Sequence, residues 1–190
     1  MKTKLLILTA AMSFAFAGSA MAMTKDDYKA GETKISTDYK SAKDTCGALK
    51  ANAKDICMSE AKGTEKVAKA ELESQYKPSA KNTENVALAK GDAAYDTAKE
   101  KCDDLAGNAK DVCVKDAKAA HVKAKEDAKV AKVSADTTTT KNEKVMDAKK
   151  DANEDKREAN YKAAKERCDS QSGAAKDSCL NTAKATYGMK

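Results

Sequence analysis

The residues best equipped for chemistry in this 190-residue chain are six cysteines and one histidine, His121. The cysteines fall into three Cys-x10-Cys pairs: Cys46 with Cys57 (CGALKANAKDIC), Cys102 with Cys113 (CDDLAGNAKDVC) and Cys168 with Cys179 (CDSQSGAAKDSC). Zinc asks for four ligands, usually in close Cys or His pairs, and this chain has no C-x-x-C. Thiol oxidoreductase and c-type haem readings fail for the same missing C-x-x-C or C-x-x-C-H. No Ser-His-Asp set, catalytic carboxylate pair or phosphate loop stands out. No catalytic, cofactor-binding or metal-ligating residue is therefore expected, and the chain reads as a non-enzyme. Structural sulfur remains, either as three disulfides, which suits an exported protein, or as reduced structural thiols. Many pairings are open to six cysteines, but the threefold repeat favours one bridge within each copy.

That pairing sets a demand on the elements around it. A straight helix through one unit would hold the two Cα atoms roughly 16 Å apart, whereas a disulfide needs about 5 to 6 Å. A turn must lie between them, and the sequence offers one. Gly107 can adopt the left-handed conformation, and Asn108 can cap the next helix with Asp111 reaching back. Asn52 and Asp55 repeat the pattern with Ala51 in place of the glycine; the third copy keeps Gly173 but has Ala174 for the Asn, leaving Ser172 as a cap. Each unit thus reads as helix, tight turn, helix.

The repeat extends outward, with Tyr39, Tyr95 and Tyr161 each seven residues before a first cysteine. Tyr28, Ile35, Ala42 and Leu49 recur every seven residues, with Tyr39 and Cys46 interleaved. Leu88, Tyr95 and Cys102 form one row in the second copy, and Gly91, Ala98 and Leu105 the other, giving a narrow coiled-coil-like seam. The tyrosines are expected to pack across the hairpin, and His121 to be a solvated surface residue.

Thr24 to Asp27 is a plausible N-terminal cap for the first helix. Gly63-Thr64 is a weak point in a helix that Pro78 ends, and Asn82 or Thr83 can start the next. Asp136 to Thr140 is a polar break, read as linker and cap rather than glycosylation site, with Thr140 and Glu143 a capping-box match opening a long helix. That helix has a poorer seam, with charges such as Arg157 on the expected face. The fold class predicted is all-α: three elongated hairpins with thin Ala-rich packing, at 23–78, 79–136 and 137–190.

Residues 1–22 read as a signal peptide, with Lys2 and Lys4 before the apolar run Leu5 to Ala17 and cleavage expected after Ala22. A periplasmic or secreted location follows, with no transmembrane segment in the mature chain. Losing Lys2 and Lys4 and no acid lowers the formal charge of +6 by 2, to +4. Both signs are interspersed, which describes a solvated surface. With 4% aromatic residues, nucleic-acid binding is not expected, and weak attraction to anionic envelope polymers at low salt is the remaining electrostatic partner. Leu, Ile and Val are scattered singly, and Ala, Lys and Glu are strong helix formers. Staples rather than a core should hold such hairpins.

Stretches such as AKAAHVKAKEDAKVAK (Ala117 to Lys132) and DAKKDANEDKREANYKAAKERC (Asp147 to Cys168) are similar to the Ala/Lys/Asp/Glu-rich central helix of TolA. The Tyr-x-x-Ala-Lys-x-x-Cys units resemble small TolA-like periplasmic proteins of proteobacteria. The resemblance implies a helical spacer or scaffold of the cell envelope, contacting envelope proteins or itself through helical seams. The composition also resembles Ala/Lys-rich desiccation-protective proteins, which implies the alternative of a stress-protective, hydrophilin-like role.

Overall fold

A computed structural model describes residues 23–135 and 141–189. The signal peptide with its cleavage point, and the linker and cap read at Asp136 to Thr140, lie outside the described residues. Six helices and no strand occur among them: α1 (Lys25–Gly47), α2 (Ala51–Tyr76), α3 (Ala80–Cys102), α4 (Gly107–Ala135), α5 (Lys141–Cys168) and α6 (Gly173–Tyr187). The protein is all-α, and each of its three Cys-x10-Cys units spans a turn between two helices.

Local sequence accounts for the ends of these elements. The α1 N-terminus is a complete capping box, with the Asp27 N–H donating to Thr24 Oγ1 and the Asp27 carboxylate accepting from the Thr24 N–H. Pro78 follows α2 and cannot continue a helix, and α3 then starts from Ser79, whose hydroxyl accepts the Asn82 N–H at 3.0 Å. The cap is therefore Ser79 rather than Asn82 or Thr83. Ser79 is the residue that leaves the proline turn in extended backbone, and Asn82 falls one turn inside the helix.

Each helix packs on its neighbours in sequence and on no other helix among the described residues. The result is an open antiparallel row, not a closed bundle. All three stapled turns lie at one end of the row, and Pro78 and the ends of α4 and α5 lie at the other. The hairpins do not stand apart, because α2 runs along α3 and α4 along α5.

The interior is thin, as the composition requires. Among the described residues every buried apolar residue is Ala or Cys, and the largest fully buried side chains are Cys46, Cys102 and Cys168. Burying a methyl contributes about 0.8 kcal/mol, while closing a loop of this length contributes about 3 kcal/mol in the chain-entropy account. Small residues also allow close helix contact. A Cβ on Gly63 would lie 2.8 Å from the Ala93 Cβ, closer than real side chains approach. Gly63 thus does not break α2, which runs unbroken from Ala51 to Tyr76, and is a place where α2 and α3 approach closely.

Candidate functional site

The stapled turns recur with one geometry. Cys46 is bonded to Cys57, Cys102 to Cys113 and Cys168 to Cys179, with Cα separations of 5.5, 5.6 and 5.7 Å. The N–H groups of Leu49, Leu105 and Gln171 each donate to the carbonyl of the preceding cysteine at 3.0 Å. The left-handed residue then opens the second helix: Gly107 and Gly173 have φ of 56°, and Ala51 has φ of 49°.

This placement corrects the capping expectation. The helices begin at the left-handed residue, so Asn52 and Asn108 are the second residues of α2 and α4 and lie inside the first turn, past the N-cap position. Lys50 occupies the α2 N-cap and Ser172 that of α6, neither giving a side-chain cap bond. Asp55 and Asp111 are solvent-exposed. The two asparagines point instead into the neighbouring hairpin. Asn52 Nδ2 donates to the Glu100 carbonyl at 2.7 Å, and Asn108 Nδ2 to the Glu166 carbonyl at 3.0 Å. Both acceptors lie in the last turn of a helix, where the carbonyls have no i+4 helical donor and each accepts only a turn bond besides, from the Asp103 or Asp169 N–H at 3.1 Å. The third copy has Ala174 at this position. An Asn present in the first two copies and lost from the last was the available signal for this clamp.

The seam is also shorter than its heptads suggest. Leu49 and Leu105 are 42% and 44% exposed at the turns, because α1 and α3 end beside the cysteine and the helical phase stops there. Leu88, Tyr95, Tyr39 and Tyr161 lie half-buried on their helices. The poor α5 seam has a structural cause: α6 has 15 residues against 28 in α5, so the N-terminal half of α5 has only α4 beside it.

One polar cluster joins three helices, and the sequence placed its histidine wrongly in solvent. His121 on α4 stacks on Tyr95 of α3, with ring centroids 4.7 Å apart and planes within 6°. Its Nε2 lies 2.7 Å from Asp92 Oδ1, and Lys66 of α2 reaches Asp92 Oδ2 at 2.5 Å. An ionised carboxylate only accepts, so His121 carries its proton on Nε2. Burial pushes the Asp92 carboxyl up, but the Lys66 and His121 donors outweigh that and hold it below the ordinary carboxylate range. Gly91 makes room beside it, since a Cβ there would meet the Ala124 Cβ at 3.0 Å.

Two further clusters follow the same logic. Tyr28 donates to Glu73 Oε2 at 2.8 Å and lies 4.5 Å from the Tyr76 ring. The acceptor carboxylate pushes the Tyr28 phenol up to about 12. Toward the same Pro78 end of the row, Glu84 and Glu126 are buried and paired with lysines, Lys81 at 2.8 Å and Lys129 at 2.6 Å. They line an open groove of about 530 Å³ with Lys132, Asp151 and Asp155. Burial pushes the Glu84 carboxyl up, and Lys81 and Lys132 more than reverse it. No group of three or more His, Cys, Asp or Glu side chains among the described residues is arranged to hold a metal ion.

No protein-family model, curated protein or solved structure matches this chain. Its reading therefore rests on the geometry above. No described helix is long and apolar enough to cross a membrane. The polar clusters join adjacent helices: Asp92 to α2 and α4, Tyr28 to α2, and Glu84 to α4.

Proposed function

We propose that this protein is a non-enzymatic helical spacer or scaffold of the cell envelope, exported to an oxidising compartment and working through the faces of its hairpins. The open row carries this reading. A chain whose helices touch only their sequence neighbours leaves both sides of the row available, and stapled turns hold those sides in fixed register. Disulfides as the largest buried groups suit an oxidising location, and the resemblance of the Ala/Lys-rich helices to TolA-like envelope proteins agrees with it.

Tagged protein expressed at native level, captured from envelope extracts at low and moderate salt, tests the proposal. Reproducible recovery of the same envelope proteins is expected, together with a mature N-terminus at Met23. Absence of any reproducible partner, combined with intact envelope permeability in a deletion strain, would refute it. Suppression of enzyme aggregation on drying, without partner specificity, would replace it with the protective reading.

A further inference from the structure

One side of the α2–α3 pair forms an open groove of about 770 Å³. Its floor is Gly63, Val67, Ala68, Ala93 and Ala98, and its rims carry charge in a definite order. Glu60 and Glu71 stand on the α2 rim, and Lys90 and Lys101 on the α3 rim. Within the chain they pair across the groove, Lys101 with Glu60 at 3.0 Å and Lys90 with Glu71 at 2.7 Å. On each helix the two charges are 11 residues apart, which is three turns and roughly 16 Å. They therefore share one face, and the groove has an acidic rim and a basic rim of equal length.

We propose that a second copy of the chain docks on this groove, α2 of each copy over α3 of the other, about a twofold axis parallel to the helices. The charges select this arrangement. A twofold axis along the groove sets each copy's Glu60 over its partner's Lys101 and each Glu71 over the partner's Lys90. An axis across the groove sets Glu60 over Glu71 and Lys90 over Lys101, four like-charge contacts in all. Self-complementary pairing is the rule for twofold interfaces. The small floor residues let helices approach, as Gly63 and Ala93 already do within the chain. In this dimer the stapled ends of both copies lie together, giving a four-helix contact layer.

The proposal deepens the scaffold reading and rests on it for treating the hairpin faces as contact surfaces. Two helices over three turns cover roughly 350 Å² per copy, below the roughly 800 Å² of a standard interface, so the dimer is weak and reversible.

Sedimentation equilibrium of the oxidised mature protein, from about 10 to 500 µM at low salt, should show monomer–dimer exchange that weakens as salt rises. Lys90→Glu with Lys101→Glu, and separately Glu60→Lys with Glu71→Lys, should each weaken self-association about tenfold or more. An equimolar mixture of the two variants should restore a heterodimer. Ala94→Arg, at an exposed position on the same groove, should block association while leaving helicity unchanged, and covers the case in which a charge variant unfolds. A monomer throughout the range, wild-type association in all variants, or no heterodimer on mixing would overturn the inference. Envelope partners captured by a strictly monomeric protein would overturn it alone, whereas a dimer that captures none would overturn the scaffold reading alone.

Discussion

Replacing Ala51 by glycine should stabilise the protein. Ala51 sits at φ of 49°, where the equivalent residues of the other turns are Gly107 and Gly173. The left-handed conformation costs an L-residue about 1 to 2 kcal/mol, because its Cβ approaches the following carbonyl oxygen. Glycine removes that strain but gives the unfolded chain back about 0.4 to 1 kcal/mol of entropy. The net gain for Ala51→Gly therefore lies between about 0 and 1.6 kcal/mol, centred on about 0.8 kcal/mol. The reciprocal variant, Gly107→Ala, should lose a similar amount. Nothing lies within 4 Å of a Cβ built at Gly107, so no steric clash adds to the balance of backbone strain and chain entropy. Urea unfolding of oxidised protein, followed by circular dichroism, reads both changes. Thermal midpoints should move by about 2 to 4 °C per kcal/mol for a chain of this size. Because each helix touches only its neighbours, the first hairpin can open by itself, and amide exchange in α1 and α2 checks that the gain is local. A loss on Ala51→Gly, or no loss on Gly107→Ala, would refute the argument that the turn conformation sets tip stability.

Asn52→Ala and Asn108→Ala should each cost about 0.5 to 1.5 kcal/mol and raise amide exchange across the joined hairpins, while Ala174→Asn changes neither. Gly63→Ala should destabilise by about 1 to 3 kcal/mol through overpacking against Ala93, whereas Gly47→Ala, at the last residue of α1 with nothing near its Cβ, should be neutral or gain less than about 0.5 kcal/mol; matched thermal melts separate the two. Replacing both Cys102 and Cys113 by serine should lower stability by about 3 kcal/mol, read as an earlier urea midpoint. The raised Tyr28 phenol contributes stability that is complete below the ordinary tyrosine pKa of 10.0 and is lost as pH rises through about 12; an ultraviolet titration should show one late phenolate, absent in Tyr28→Phe. Asp92 works in the opposite sense, its lowered pKa giving stability present above the ordinary carboxylate range and lost as pH falls through the folded value, which Asp92→Asn should flatten in acid melts.

Much of this architecture was legible in local sequence, and the failures share a cause. The cysteine spacing with Gly107 and Gly173 requires turns, since a straight helix cannot close the bridge. The Thr24–Asp27 box and Pro78 mark helix ends through contacts within a few residues. By contrast, Asn52, Asn108, Gly63 and His121 have partners 48, 58, 30 and 29 residues away, at Glu100, Glu166, Ala93 and Asp92. Read alone, an Asn beside a turn is a cap, a glycine in a helix is a defect, and a histidine among lysines is solvated. Each judgement reversed once a second helix lay alongside. The sequence by itself thus determined which segments are helical, where they bend and which sulfurs close each bend, because those choices are made by backbone conformation and short loops. Only the tertiary structure decided how one hairpin lies on the next. Methyl-sized side chains specify register weakly, so that register is held by a few long-range polar contacts whose partners no local pattern reveals.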